Sequence, residues 1–217
     1  MRHLNGTETQ QHLMQAFAAK TQASSRLAMY AAEAKKEGYS LIQQLFETVS
    51  QRELVHGNVF YDCLAKNGSE ETYELNGTYP IDLHLSRTVE NLRAAVKHFD
   101  QEIYFSYGKT ALAEGFSQLA ERFMSIASIE SEHQRKFADV LHQLETKTLF
   151  KKSEPAPWEC QCCGHLHYGV AAPAICPVCE HGKGYFEAVQ LPEAALEQLK
   201  ASAKALYMEE MSKGEAA

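Results

Sequence analysis

The chain has 217 residues, 45% hydrophobic and 23% charged, which suits one large domain or two modest ones in an ordinary globular protein. A formal charge of -7 and a pI near 5.8 argue against a nucleic-acid or anionic-membrane surface. Basic residues occur only in short pairs such as Lys35-Lys36 and Lys151-Lys152. The opening residues lack an apolar leader and no stretch is long enough to span a bilayer, so the expectation is a cytoplasmic protein.

The first predicted helix opens at Thr7 or Thr9, either able to cap it, and stops at Gly38. Its inward stripe reads Leu13, Phe17, Lys20, Ser24, Leu27, Ala31, Ala34 in alternating steps of four and three, the spacing of a bundle seam, and places Lys20 inside. The second helix runs from about Ser40 to Lys66, with Ile42, Phe46, Val49, Glu53, His56, Phe60 and Cys63 on its seam. Residues 67 to 87 predict a long crossover with turn signals at Asn76-Gly77 and Tyr79-Pro80, which lets helices two and three run parallel. The third helix starts near Ser86 or Thr88, carries Leu92, Ala95, Phe99, Glu102 and Ser106 on one stripe, and ends at Gly108 or continues, bent, to Gly115. The fourth, from about Phe116 to Thr146, has Leu119, Phe123, Ile126, Glu130, His133, Phe137, Val140 and Leu144 inward.

Two of these seams contain Glu-x-x-His, at Glu53/His56 and Glu130/His133. Residues i and i+3 share a helix face, so each step aims a carboxylate and an imidazole the same way. An ionised group among apolar seam residues is costly unless it is paired or binds metal. Facing steps of this kind build metal sites in bundle cores.

Residues 148 to 157 are expected as a linker, rich in Lys, Glu and Pro. Five of the six cysteines follow within residues 160 to 179, which suits metal ligation better than a disulfide framework. Cys160-x-x-Cys163 and Cys176-x-x-Cys179, with twelve intervening residues, predict a tetrahedral thiolate site for zinc or iron. Cys162 lies inside the first knuckle, and its side chain should point away from that metal. Trp158, Tyr168, Tyr185 and Phe186 around the site favour a rubredoxin-like module over a zinc ribbon. Pro192 opens a last amphipathic helix with Leu196, Leu199, Ala203 and Leu206 on one side, a packing or dimer element over 192 to 217.

Certain stretches resemble the rubrerythrin family over nearly the whole chain up to about Gln190. They are Gly6-Thr7 with Ala16-Phe17-Ala18, Ala34-Lys35-Lys36-Glu37-Gly38-Tyr39 and Thr88-Val89-Glu90-Asn91-Leu92, then Trp158-Glu159-Cys160 through Cys163-Gly164, Ala172-Pro173, Cys176-Pro177 and Tyr185-Phe186-Glu187. The resemblance implies a mainly α protein: a ferritin-like four-helix bundle over 1 to 147, a rubredoxin-like four-cysteine domain over 158 to 191, and a C-terminal helix. It also implies a cytoplasmic homodimer in which a reductase feeds electrons to the cysteine-bound iron and a di-iron site in the bundle reduces hydrogen peroxide.

Carried over by position, the bundle ligands are Glu53, His56, Glu102, Glu130 and His133, with Glu53 and Glu130 as the bridging carboxylates. Two terminal carboxylates are replaced, one by Lys20 and one by Phe99. Asp100 and Glu33 are the nearest spare carboxylates, both poorly phased to substitute. Three carboxylates against one ammonium leave a formal -2, the charge that one divalent cation balances. An ammonium about 4 Å from such a cation is repelled by roughly 8 kcal/mol at an effective dielectric near 20. The bundle is therefore expected to hold one metal or none, unless Lys20 deprotonates to become a ligand, reaches solvent, or two metals rearrange their ligands. The expected function is a non-haem iron oxidoreductase or electron-transfer protein acting on peroxide or oxygen, iron filling the four-cysteine site. The alternatives are a non-catalytic relative and a zinc-stapled interaction module.

Overall fold

The computed structural model describes residues 3–68, 72–75, 87–99 and 101–214, with side chains of the last helix described as far as Ala205. Five helices come first: α1 (Glu8–Lys36), α2 (Ser40–Asn67), α3 (Thr88–His98), α4 (Gln101–Ala113) and α5 (Ser117–Glu145). Strands β1 (Lys151–Cys160), β2 (Leu166–Ala171) and β3 (Phe186–Ala188) follow, then α6 (Glu193–Gly214). The chain divides into two compact units, Met1–Glu37 with Ile42–Leu141, and Gly38–Leu41 with His142–Ala217. Most of the predicted crossover, including Asn76-Gly77 and Tyr79-Pro80, lies outside the described residues, as do Ser86, Asp100 and the Leu206 side chain.

In the first unit the helices are a ferritin-like bundle whose ends are set by side chains. Thr7 caps α1 by accepting from the Gln10 N–H. Glu114, in the turn after α4, accepts from the backbone of Glu8 and Thr9 and from the Thr9 hydroxyl at 2.6 Å. Glu37 takes the Thr88 N–H at 3.1 Å, satisfying a first-turn donor of α3. The seams of α1, α2 and α5 fall inside as their spacing predicts: Leu13, Leu27, Ile42, Phe46, Val49, Phe60, Leu119, Phe123, Ile126 and Phe137 are all buried.

The third segment differs from its predicted single stripe. Helix α3 ends at His98, and Phe99 leaves helical geometry at φ -80, ψ 84. Its fully buried ring packs on Phe137 and edge-on to His133, each 5.5 Å away. The interruption changes the phase, so that α4 buries Tyr104, Gly108 and Ala111. Glu102 and Ser106 are exposed. A helix without that break would have turned Glu102 inward, which is what constant periodicity predicts.

The second unit is a three-stranded antiparallel sheet, ordered β2-β1-β3, followed by α6. Much of the expected linker, Lys151 to Pro157, is part of β1, with a register shift between Lys151 and Ala156. Strand β3 pairs only with Trp158 to Cys160, so Pro155 and Pro157 need no ladder N–H on that side. Trp158, Cys160, Cys176 and Phe186 form the small core, and the Trp158 indole N–H donates to the Gly169 carbonyl at 2.9 Å.

Candidate metal centres

Midway along the bundle, α1, α2 and α5 bring Lys20, Glu53, His56, Glu130 and His133 together, and all five are buried. The Lys20 ammonium donates to Glu53 Oε2 at 2.8 Å and to Glu130 Oε2. It also lies 4.6 Å from the Tyr104 ring centroid, where Tyr104 enters the site from α4. Lys20 is only 3% exposed, so it does not reach solvent.

The other carboxylate oxygens face the imidazoles. His56 Nδ1 is 3.3 Å from Glu53 Oε1 and 3.2 Å from Glu130 Oε1, and His133 Nδ1 is 3.4 Å from Glu53 Oε1. None of these four atoms has a hydrogen-bond partner despite full burial. Such spacing matches the separation of about 3.3 Å between neighbouring donors around a tetrahedral ion with bonds of about 2.0–2.1 Å. Glu53, His56 and Glu130 offer a compact three-ligand set, and His133 adjoins it through Glu53.

Electrostatics divide the cluster into a fixed charge and an exchangeable one. Burial opposes charge on Lys20, but Tyr104, Glu53 and Glu130 outweigh it and raise its pKa above the ordinary lysine value. Between these carboxylates the ammonium form of Lys20 is the favoured one. Burial likewise disfavours the Glu53 carboxylate, yet His133, His56 and Lys20 hold it well below the usual carboxylate range. For His56 burial is again the largest influence and acts downward; Glu130 and Glu53 overcome it and raise the imidazole.

Of the residues expected in this site, Glu53, His56, Glu130 and His133 converge and Glu102 does not. Phe99 lines the site through His133, and Lys20 sits between the two would-be bridging carboxylates. Tyr104 is the residue that sequence reasoning left off the seam. Its signal was present: Tyr104, Gly108 and Ala111 repeat the four-three spacing with small or aromatic residues, whereas Glu102 and Ser106 continue the earlier phase with polar ones.

In the second unit, Cys160, Cys163, Cys176 and Cys179 converge. Sγ–Sγ distances are 3.6 Å for Cys160–Cys179 and for Cys163–Cys176, close to the roughly 3.8 Å edge of a thiolate tetrahedron with metal–sulfur bonds of about 2.3 Å. The two knuckles are built alike. Cys160 N–H donates to the His165 carbonyl and accepts at its own carbonyl from Gly164 N–H; Cys176 does the same with His181 and Glu180. Gly164 and Glu180 hold the corresponding left-handed positions, at φ 75 and φ 62.

Backbone donors prepare this centre for anionic sulfur. Burial pushes the Cys176 thiol up, but the N–H groups of Cys179 and Val178 bring it down to about 7. At Cys163 the His165 N–H favours thiolate, yet burial and the neighbouring Cys179, Cys176 and Cys160 push it up to about 12. Four thiols so close cannot all ionise without a cation, and the donor set fits a soft tetrahedral metal.

A ferritin-like bundle carrying Glu-x-x-His pairs, joined to a four-cysteine rubredoxin-like unit, defines a class of non-haem metal-binding proteins. The rubrerythrin family profile matches residues 11–141, and the profile of the rubrerythrin rubredoxin-like domain matches residues 158–187. Rubrerythrin-1 of Clostridium acetobutylicum is 39% identical over 191 residues, covering 86% of this chain and 97% of that protein. The rubrerythrin of Porphyromonas gingivalis is 35% identical over 187 residues, covering 85% and 91%. Among solved structures, mixed-valence nigerythrin aligns with a TM-score of 0.55 and 24% identity over 87% of this chain and 92% of that one, a likeness of fold. The chain belongs to the rubrerythrin family, which is known for iron-dependent protection against oxidative stress. No helix among the described residues is long and apolar enough to cross a membrane.

Proposed function

We propose that this chain is a rubrerythrin-family oxidoreductase in which the usual pair of bundle metals is replaced by one divalent cation and one ammonium. The observation carrying this is the division of two carboxylates: Glu53 Oε2 and Glu130 Oε2 are engaged by Lys20, while their Oε1 atoms converge on His56 Nδ1 at 3.3 and 3.2 Å. A second metal bridged by the same pair would need the space of the ammonium. With Glu102 exposed and Phe99 apolar, no carboxylate from α3 or α4 among the described residues supplies its terminal ligand. These residues do not fit two metals.

Iron, when bound by Cys160, Cys163, Cys176 and Cys179, supplies one-electron redox chemistry. The bundle residues hold the second reactant site. Glu53, His56 and Glu130 would hold a cation, and Lys20 Nζ keeps a proton beside both buried carboxylates. Reducing hydrogen peroxide to water takes two electrons and two protons. A pocket with room for one metal stores fewer electrons than the two-metal arrangement, so turnover with peroxide or oxygen is expected to be slow. The electron donor is expected to be a reductase and the assembly a homodimer, as the family resemblance implies.

Full engagement of Lys20 by both carboxylates also favours a second reading, a non-catalytic relative whose bundle is held by this ion-pair network and whose cysteine centre transfers electrons or stores metal. Metal analysis and visible spectra of the purified protein, beside a Lys20→Glu/Phe99→Glu variant, separate the cases. The proposal expects cysteine-bound iron plus at most one bundle metal, and additional metal in the variant. About three irons per chain in the unmodified protein, the full family complement, would overturn the ammonium substitution. Absence of peroxide-dependent oxidation despite a loaded bundle would favour the non-catalytic reading.

A further inference from the structure

Beside the four-cysteine centre lies a second group of soft donors that this centre does not use. Cys162, Cys179 and His181 each place a ligand atom within 4.8 Å of the others. Cys162 Sγ is 4.0 Å from His181 Nε2. The other ring nitrogen, Nδ1, is 3.0 Å from the Cys179 carbonyl and donates to it, which leaves the Nε2 lone pair directed at Cys162. The Tyr185 ring stands edge-on to the imidazole at 4.4 Å and fixes its plane. A histidine whose far nitrogen is tied to a backbone carbonyl, with its near nitrogen free, is oriented as metal-ligating histidines are.

We propose that Cys162, His181 and the shared thiolate of Cys179 form an auxiliary site for a thiophilic d10 cation such as zinc, bridged through Cys179 to the metal of the four-cysteine centre. A cation with bonds of about 2.3 Å to sulfur and about 2.0 Å to nitrogen needs a sulfur–nitrogen separation of roughly 3.5–4 Å. The observed 4.0 Å meets that with little movement, and Cys162 is exposed on its turn and free to rotate. Cys179 is only partly buried, and its sulfur lies within 4.8 Å of the Cys162 and His181 donor atoms. Charge points the same way. Four thiolates around a divalent ion carry a net -2, and a fifth thiolate beside them is stabilised by another cation. Three protein ligands leave one open position, so the auxiliary ion would be exchangeable.

This proposal rests on the four-cysteine centre being filled, and its test keeps the two apart. The full chain, loaded with zinc, is treated with iodoacetamide before and after addition of further zinc, and each cysteine is followed by peptide mass spectrometry. At the outset Cys160, Cys163, Cys176 and Cys179 should be protected while Cys162 reacts. Added zinc should then protect Cys162, and the unmodified protein should bind one equivalent more than Cys162→Ser, any zinc in the bundle cancelling in that comparison. His181→Ala should lose the protection of Cys162 while the four ligands stay protected, which also shows that the variant is folded. An unchanged rate of Cys162 alkylation in excess zinc, with the other four protected, would overturn the auxiliary site alone. Protection of Cys162 that survives His181→Ala would also overturn it. Reaction of the four ligands at the outset would overturn the filled centre and the auxiliary site with it.

Discussion

The four-cysteine centre takes its ligands from residues 160 to 179, whereas the bundle cluster joins side chains as far apart as Lys20 and Glu130. In the first, two short turns of the same design place every sulfur, and each turn closes on its own backbone hydrogen bonds. In the second, local i, i+3 spacing aligns only each Glu–His pair; the two pairs and Lys20 meet because helices keep phase over many turns. A local site is robust to change elsewhere in the chain. A distributed site can be recast by one residue on one helix, as the proposed function has Lys20 do by engaging the two carboxylates expected to bridge metals.

The largest expected effect tests how far the cysteine unit depends on its metal. In small modules metal binding is itself folding energy, on the order of 10–16 kcal/mol for structural zinc. Cys176→Ser, or removal of the metal by chelation, should therefore unfold the second unit, whose core consists of Trp158, Cys160, Cys176 and Phe186. Trp158 is the chain's only tryptophan and is fully buried, so its emission should shift to the red while the bundle's helical circular dichroism persists. Unshifted emission would mean that the sheet stands without metal. Next in size is Lys20→Met. Removing one partner of a buried ion pair costs about 3–5 kcal/mol because the remaining charge is uncompensated. The metal-free variant should melt correspondingly earlier, and divalent metal should restore much of the loss by replacing the missing positive charge. A variant as stable as the parent in chelator would show that the carboxylates do not need the ammonium.

Legibility followed the same contrast. The cysteine centre could be read because its ligands, their spacing and the Gly164 turn all lie within one stretch of twenty residues, 160 to 179. The seams of α1, α2 and α5 could be read because one unbroken helix carries each, so Lys20, Glu53, His56, Glu130 and His133 were placed inside by counting. Glu102 was placed inside by the same counting but is exposed, because its direction depends on a helix break at Phe99. That break expresses packing of a ring against His133 and Phe137, contacts made by a helix distant in sequence. The partition of the carboxylate oxygens between Lys20 and the imidazoles was equally invisible, being a matter of side-chain geometry. The strand formed by Lys151 to Pro157 was obscured by two prolines that read as linker and are tolerated because β3 does not extend to them.

The proton on His56 gives a smaller and more diagnostic effect. Its pKa is raised above the ordinary 6.5 in the metal-free protein. Charging His56 therefore contributes stability that is fully present below pH 6.5 and is lost as pH rises through the raised value. A cation bound at His56 Nδ1 must displace that proton, so its affinity should rise with pH across the same window, with about one proton released per cation. Calorimetric titration in buffers of different ionisation enthalpy measures the release. Affinity independent of pH would exclude His56 as a ligand.

The smallest effect compares the two halves of the cysteine centre. Gly164 and Glu180 do the same job, each donating its N–H to the carbonyl of the first cysteine in its knuckle from a left-handed backbone. Glycine adopts that conformation freely, whereas a residue with a Cβ is disfavoured there by about 1–2 kcal/mol. Part of that difference is offset by the greater freedom glycine gives the unfolded chain. Glu180→Gly should thus stabilise the metal-loaded unit by about 0.5–1 kcal/mol, and Gly164→Ala should destabilise it by about 1 kcal/mol. Because folding and metal binding are linked, both changes should be visible as opposite shifts in metal affinity in competition with a chromophoric chelator. Glu180 is exposed, and the change removes a negative charge beside a thiolate centre, which also eases ionisation of the ligands. Glu180→Ala separates the two contributions: it removes the charge and keeps the Cβ, so only the glycine variant should recover the backbone strain. Equal affinities for the alanine and glycine variants would assign the whole gain to charge and none to the turn.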